Sequence, residues 1–145
     1  MKRIFVIITL GIAMALPCIA RDKVYHSADA LPAAAQQTMK KSFPKARVSR
    51  VKVDSNALGI KDYEVILTNG TEIEFDKNGA WTEIDCGYQA VPDMFLLEPI
   101  RTYVKKNYKN AFVIKVEKDR DLYEIELSDD TDLEFDRSGR FLKAD

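Results

Sequence analysis

Two stretches of this chain repeat one another at an offset of 60 residues, and this repeat constrains the fold more than any other feature. Residues 63–85 read YEVILTNGTEIEFDKNGAWTEID, and residues 123–145 read YEIELSDDTDLEFDRSGRFLKAD. Nine positions are identical: Tyr63, Glu64, Leu67, Thr71, Glu74, Phe75, Asp76, Gly79 and Asp85. Upstream, residues 39–43 lie over residues 104–108 at an offset of 65, and the change falls in a predicted turn, where insertions are tolerated. The chain is therefore predicted to carry two copies of one module.

Each copy is predicted to begin with a helix and to continue with four strands. In the first copy Pro32 opens the helix, and Ala35, Met39 and Phe43 share one face of it. Pro99 opens the equivalent helix in the second copy. The strands are predicted where residues alternate or are β-branched. They are Val48–Val53, Tyr63–Leu67, Thr71–Phe75 and Trp81–Ile84, then Phe112–Glu117, Tyr123–Leu127, Thr131–Phe135 and Phe141–Ala144.

The alternation of apolar and acidic residues predicts a sheet with one buried face and one wet face. The fold class is therefore predicted as α+β, a tandem repeat of two modules, each a helix packed on a four-stranded antiparallel sheet. Residues 31–88 form the first module and residues 89–145 the second, after a flexible segment at residues 21–30. Modules of roughly 55 residues are marginal alone, so the two are expected to pack together, one arrangement being edge to edge in a longer sheet.

The first 20 residues have the layout of a secretory signal peptide. Lys2 and Arg3 precede an uncharged apolar run, and Cys18 and Ala20 occupy the −3 and −1 positions of a cleavage site. Cleavage after Ala20 predicts a periplasmic or secreted protein with no stable membrane insertion, because the apolar run is too short for a permanent span. The alternative is a lipoprotein acylated at Cys18, which Pro17 disfavours, since that position of a lipoprotein signal takes a small residue such as Gly or Ala.

The composition gives little support for catalysis or for nucleic-acid binding. Cleavage leaves 20 basic against 23 acidic residues, a net charge of −3, whereas a phosphate backbone requires clustered cations. His26 is the only histidine, so the usual zinc and Ser-His-Asp sites cannot form, and no enzyme activity, cofactor or metal is predicted. Gly79 follows Asp76 too closely for a calcium-binding EF-hand and favours a β-turn. Cys86 is interpreted as a small buried residue, the alternative being a reactive thiol or an intermolecular bridge.

Several sequence segments of the chain resemble the PepSY-like periplasmic proteins, which are also described as beta-lactamase-inhibitor-like. They are LPAAAQQTMKKSFPKA (31–46), YEVILTNGTEIEFDKNGAWTEIDC (63–86), VP (91–92) and YEIELSDDTDLEFDRSGRFLK (123–143). The resemblance covers nearly the whole mature chain and implies a helix-plus-four-strand module used in tandem in the bacterial periplasm. Related modules in propeptides of secreted peptidases suggest an inhibitory or chaperoning role. The family offers no catalytic motif to transfer to these positions.

The candidate binding surface is the acidic face of the predicted sheets. It comprises the acids Glu64, Glu72, Glu74, Glu124, Asp132 and Glu134, together with the aromatic residues Trp81 and Phe141. Strict alternation places both aromatic rings among the acids, as in a recognition patch, whereas a local bulge would turn them into the core. The predicted function is an exported protein- or peptide-binding module, inhibitor-like in one version. The alternative is a structural or assembly protein of the cell envelope without a discrete ligand. The oligomeric state is not predicted.

Overall fold

The computed structural model describes residues 22–145, so the predicted signal peptide at residues 1–20 lies outside the described residues. Within that range, the helices are α1 (Ala33–Ser42) and α2 (Glu98–Asn107). The strands are β1 (Lys23–Tyr25), β2 (Val48–Asn56), β3 (Gly59–Leu67), β4 (Glu72–Asp76), β5 (Trp81–Asp85), β6 (Val113–Lys118), β7 (Leu122–Leu127), β8 (Asp132–Asp136) and β9 (Phe141–Ala144). Short 3₁₀ turns at Ala28–Ala30 and Asp93–Phe95 lie upstream of the two helices.

All nine strands belong to one antiparallel sheet, in the order of the sequence from β1 to β9. The prediction of two modules, each a helix on its own four-stranded sheet, is therefore wrong. The strands β5 and β6 pair directly, with Ile84 opposite Val116 and Asp85 opposite Lys115. Separate four-stranded sheets would leave both of these strands as edges with unpaired N–H and C=O groups, and pairing them removes both edges.

The buried face of the sheet carries an unbroken row of apolar side chains. Its members face one another across successive strands: Val51, Val65, Ile73, Ile84, Val116, Ile125 and Leu133. Each is at most 2 % exposed, and all belong to one core cluster that includes residues of both helices. The core is therefore continuous across the whole sheet, and both helices cover the same face.

The two helices are held by equivalent contacts. Helix α1 buries Ala35 and Met39, and helix α2 buries Ile100 and Val104, as the four-residue spacing predicts. The start of α1 packs against Gly79 in the turn between β4 and β5, and a Cβ atom there would lie 2.9 Å from Cβ of Pro32. Because Gly79 also has φ +84°, a left-handed conformation, only glycine suits both the turn and the close helix.

Strand β1 lies in the segment for which the sequence predicts no regular structure. Lys23, Val24 and Tyr25 pair with β2, and His26 Nδ1 lies 2.9 Å from the carbonyl oxygen of Ser49. All three residues of β1 are exposed. A three-residue strand is too short to show a period, so the sequence pattern missed it.

The remaining sequence predictions concern Cys86 and membrane insertion. Cys86 is free and only 4 % exposed, which confirms the interpretation of a buried structural cysteine. Burial, the largest influence, raises the pKa of its thiol, and the neighbouring Asp85 raises it further, while a hydrogen bond with Thr71 opposes them. Among residues 22–145, no helix combines the length and the apolar character that crossing a bilayer requires.

Candidate functional site: an acidic ladder on the open sheet face

The face of the sheet opposite the helices carries a row of six glutamates on six adjacent strands. The pairing places Glu64 opposite Glu74, Glu74 opposite Glu83, and Glu83 opposite Glu117. The row continues through Glu124 and Glu134, which face one another on β7 and β8. We call this row the acidic ladder: Glu64, Glu74, Glu83, Glu117, Glu124 and Glu134.

The geometry of the sheet sets the dimensions of the acidic ladder. Adjacent strands lie about 4.8 Å apart, so five steps place its end residues about 24 Å apart along the sheet. A lysine closes each end, because Lys52 faces Glu64 and Lys143 faces Glu134. The row of apolar residues in the core is one residue out of step with the ladder on every strand, as the side-chain alternation of a strand requires.

Part of the acidic ladder is neutralised by neighbouring cations. Lys115 Nζ lies 2.7 Å from Glu83 Oε1, and Lys143 Nζ lies 2.9 Å from Glu134 Oε1. Arg50 is more distant, with Nη2 3.8 Å from Glu64 Oε1. Within the described residues, Glu74, Glu117 and Glu124 form no ion pair. Three carboxylates of the ladder therefore remain uncompensated.

Two of these uncompensated carboxylates have a raised pKa. Partial burial is the largest cause for Glu74, followed by repulsion from Glu83, Asp62, Glu64 and Glu117. Partial burial also leads for Glu117, followed by Glu83 and Glu124, with Lys115 opposing them. For both residues the crowding of like charges thus adds to the effect of burial. A cation placed on the ladder would relieve this repulsion.

The predicted acids all lie on this open face. Glu64, Glu74, Glu124 and Glu134 belong to the ladder, and Glu72 and Asp132 lie in the neighbouring row with Asp85, Lys115 and Glu126. The sequence prediction omitted Glu83 and Glu117. Each lies next to one buried apolar residue, Ile84 or Val116, but only the pairing of β5 with β6 brings the two glutamates opposite one another and makes the ladder continuous.

Trp81 does not lie among the acids, so the prediction that placed it there is wrong. The register shifts between β4 and β5, so Glu74 faces Glu83 while Phe75 faces Trp81. This bulge at Thr82 turns the indole to the helix side of the sheet. There the ring meets Phe95 edge-on with centroids 5.3 Å apart, and Lys118 Nζ lies 3.8 Å from its centroid.

Phe141 is turned inward by the same kind of bulge, and its predicted place on the acidic face is also wrong. The register shifts between Glu134 and Phe135, so Phe141 faces Phe135. Its ring stacks on Tyr103 of α2, with centroids 4.5 Å apart and planes 12° from parallel. The binding role predicted for the two aromatic residues depended on their exposure among the acids, and the candidate site is therefore reduced to its carboxylates.

The carboxylates of the acidic ladder are spread out and do not converge on one point. Among residues 22–145, no group of three or more His, Cys, Asp or Glu side chains is arranged to hold a metal ion. Asp76, the start of the turn considered as a calcium loop, uses Oδ1 to accept hydrogen bonds from the amides of Asn78 and Ala80. That is the β-turn geometry predicted from its spacing.

Comparison with known proteins adds a family and three similar structures. The sequence matches the family described as "Putative beta-lactamase-inhibitor-like, PepSY-like" over residues 19–62 and 61–143. No curated protein matches the chain significantly. A crystal structure described as a "putative periplasmic protein of unknown function" from Bacteroides vulgatus is 34 % identical, with a TM-score of 0.81. The match covers 86 % of this chain and 99 % of that chain.

Two further structures come from the same genus. A "putative calcium-regulated periplasmic protein" from Bacteroides thetaiotaomicron is 40 % identical, with a TM-score of 0.80, and the match covers 86 % of this chain and 96 % of that one. A second "putative periplasmic protein" from Bacteroides vulgatus is 37 % identical, with a TM-score of 0.78 and the same coverage. These three structures are all described as periplasmic.

Proposed function

The chain belongs to the PepSY-like, beta-lactamase-inhibitor-like family, and we propose that it is an exported periplasmic protein, without catalytic activity, that binds a basic segment of another protein through the acidic ladder. The periplasmic descriptions of its relatives support the location. The signal pattern of residues 1–20 supports export. Mass spectrometry of the native protein should then find an N-terminus at Arg21. A lipid attached to Cys18 would instead show that the protein is a lipoprotein.

The acidic ladder itself carries the proposal. Like charges directly opposite one another destabilise a sheet, and a sheet that served only as a scaffold would gain by alternating their signs. Here Glu74 lies between two glutamates, although lysines occupy positions on the same face at Lys52 and Lys143. A row of one sign concentrates negative potential and attracts a cationic partner. The repulsion stored in the free protein would be relieved when such a partner binds.

The spacing of the ladder favours a helical partner over an extended one. A helix presents side chains from one face at intervals of about 5.4 Å per turn, close to the ladder repeat of about 4.8 Å. An extended strand presents them at about 6.7 Å, which is further from that repeat. Lysine or arginine at each turn of a partner helix could therefore reach successive glutamates. If that segment belongs to an enzyme, its occupation would be an inhibitor-like function.

The test is binding of a synthetic amphipathic helical peptide with lysine at every turn, measured by isothermal titration calorimetry. The triple variant Glu74→Gln, Glu117→Gln, Glu124→Gln should bind about tenfold more weakly than the wild type, since three charge contacts are lost. The matched control removes three charges away from the ladder, with Glu98→Gln, Asp121→Asn and Asp130→Asn, and should keep most of the affinity. Equal losses in both variants would mean that net charge alone attracts the peptide. Binding unaffected by either variant would mean that the peptide does not bind at the ladder, and no binding to the wild type would favour the envelope-assembly role.

Regulation by calcium is the second candidate function, suggested by the description of the Bacteroides thetaiotaomicron relative. Calcium takes six to eight oxygen ligands, and the ladder does not bring three acids to one point. We therefore infer that calcium would act by competing with the basic partner for neighbouring carboxylates. In the calorimetric assay, calcium chloride should displace the peptide more strongly than sodium chloride or magnesium chloride of equal ionic strength. Equal displacement by the three salts would remove calcium as a specific regulator.

A further inference from the structure

A groove with a volume of about 420 Å³ lies on the helix side of the molecule, between α2, the start of β6 and the segment before α2. Its floor is apolar: Val91, Leu96, Val104 and Val113 line it, and each is at most 8 % exposed. Its rim is basic, with Arg101, Lys105 and Lys109 against the single carboxylate of Asp93. We call this the basic groove. Its composition suits a ligand that joins an apolar group to a negative charge.

Arg101 supplies the sharpest feature of the basic groove. Its Nε atom is buried and has no hydrogen-bond partner within the described residues. The nearest acid is Asp93, whose Oδ2 lies 3.5 Å from Nη1, and that carboxylate is 70 % exposed. A buried donor without a partner is unfavourable, and arginine offers a fork of donors matched to a carboxylate. The Arg101 side chain is 35 % exposed, so a ligand carboxylate could reach the guanidinium from the groove, and a rotation of the side chain would let the buried Nε donate to it as well.

The first half of the chain contains an equivalent groove that lacks this feature. The two grooves share positions at the offset of 65 residues: Met39, Lys40 and Val48 in the first lie over Val104, Lys105 and Val113 in the second. Gln36 stands in the place of Arg101, and its Nε2 donates a hydrogen bond to the carbonyl oxygen of Leu31 at 3.0 Å. The side-chain amide of Gln36 in the first groove thus has a hydrogen-bond partner within the protein, whereas Nε of Arg101 in the second groove has none.

We propose that the basic groove binds the free C-terminus of a peptide or protein whose last residue is apolar. The terminal carboxylate pairs with the guanidinium of Arg101, Lys105 and Lys109 add positive charge, and the last side chain lies on the floor beside Val104. The groove is partly open to solvent and not an enclosed cavity, which suits the end of a chain more than a lipid tail that must be hidden from water. This site is separate from the acidic ladder and does not depend on it.

The test uses two synthetic pentapeptides that end in Leu-Phe and differ only in having a free carboxylate or a C-terminal amide. Binding is followed by NMR chemical-shift changes of the backbone amides and by calorimetry. The free acid should bind about tenfold more tightly than the amide, because a charge-assisted bidentate pair is lost in the amide. Shifts should centre on residues 91–113. Equal affinity of the two peptides, or no binding of either, would overturn the proposal.

Two variants then locate the carboxylate. Arg101→Gln copies the residue of the first groove and should abolish the preference for the free acid, while Gln36→Ala in the first groove should leave it unchanged. If Arg101→Gln does not fold, Lys109→Gln in the loop should still reduce the preference. If the preference for the free-acid peptide persists in both variants, the basic rim of the groove does not bind the carboxylate, and the proposal is refuted. Sodium dodecanoate is the remaining probe: dodecanoate binding to the groove without peptide binding would assign it to a lipid and refute the peptide occupant.

Discussion

Replacing Glu74 by glutamine should stabilise the protein, because it removes a charge placed between two others of the same sign. Glu74 faces Glu64 on β3 and Glu83 on β5. A like-charge pair directly across two strands costs about 0.2–1 kcal/mol. Arg50 and Lys115 already neutralise part of Glu64 and Glu83, so the lower half of this range applies to each pair. Together they predict a gain of about 1 kcal/mol in the free energy of unfolding near pH 7.

The gain should depend on pH in a direction that the pKa of Glu74 determines. That pKa is raised above its ordinary value of 4.5, so the folded protein holds the proton more tightly than the unfolded chain. The wild type therefore has this contribution to its stability below the unfolded pKa and loses it as the pH rises through the folded pKa. The difference between Glu74→Gln and the wild type should therefore be largest at about pH 7 and shrink as the pH falls towards about 4, because Glu74 then becomes protonated in both the folded and the unfolded state.

The assay is urea denaturation of both proteins at two pH values and two salt concentrations. An increase of about 1 kcal/mol corresponds to roughly 3 °C in Tm for a domain of this size. High salt should reduce the difference, because it screens charges that are partly exposed. The matched control is Glu126→Gln, since Glu126 faces one cation, Lys115, and one acid, Asp132, and should change stability little. A loss of stability in Glu74→Gln, or an equal gain in the control, would refute the argument from like charges.

Three further predictions concern other parts of the fold. Trp81→Ala should cost about 2–4 kcal/mol in chemical denaturation, because the ring packs edge-on against Phe95; a loss below about 0.5 kcal/mol would place it in solvent. Gly79→Ala should lower the free energy of unfolding more than Gly70→Ala, although both glycines have φ +84°. The reason is that only at Gly79 would an added Cβ lie 2.9 Å from Cβ of Pro32, and equal unfolding midpoints in urea would contradict this helix contact. Hydrogen bonds from Ser138 and Arg140 lower the pKa of Asp136 from 3.8 to about 2, so its stabilisation is complete above pH 3.8 and is lost towards pH 2. Acid titration followed by circular dichroism should show Asp136→Asn losing less stability over that interval than the wild type; identical acid sensitivity would contradict the role of this carboxylate.

Local pattern was enough to predict both helices, the strands from β2 to β9 and the faces of most of their residues. The alternation in residues 63–75 placed Tyr63, Ile73 and Phe75 on the buried side, where each is at most 6 % exposed. The helix spacing likewise predicted the burial of Ala35 and Met39. These features follow from the period of a strand or a helix, and each segment of sequence contains its own period. Four acids of the ladder were predicted in this way.

Contacts between distant residues decided the rest. The chain forms one sheet and not two because β5 pairs with β6. This pairing depends on which strand edges would otherwise lack hydrogen-bond partners, and the side-chain alternation within one strand contains no information about it. The same pairing aligned Glu83 with Glu117 and joined two short acidic rows into one ladder. The inward orientation of Trp81 depends on the bulge at Thr82, an extra residue in β5. The bulge lets the indole ring pack against Phe95. The sequence by itself thus determined which residues alternate, and the tertiary structure decided which strands meet, because hydrogen bonds between strands and the packing of the core act across the whole chain.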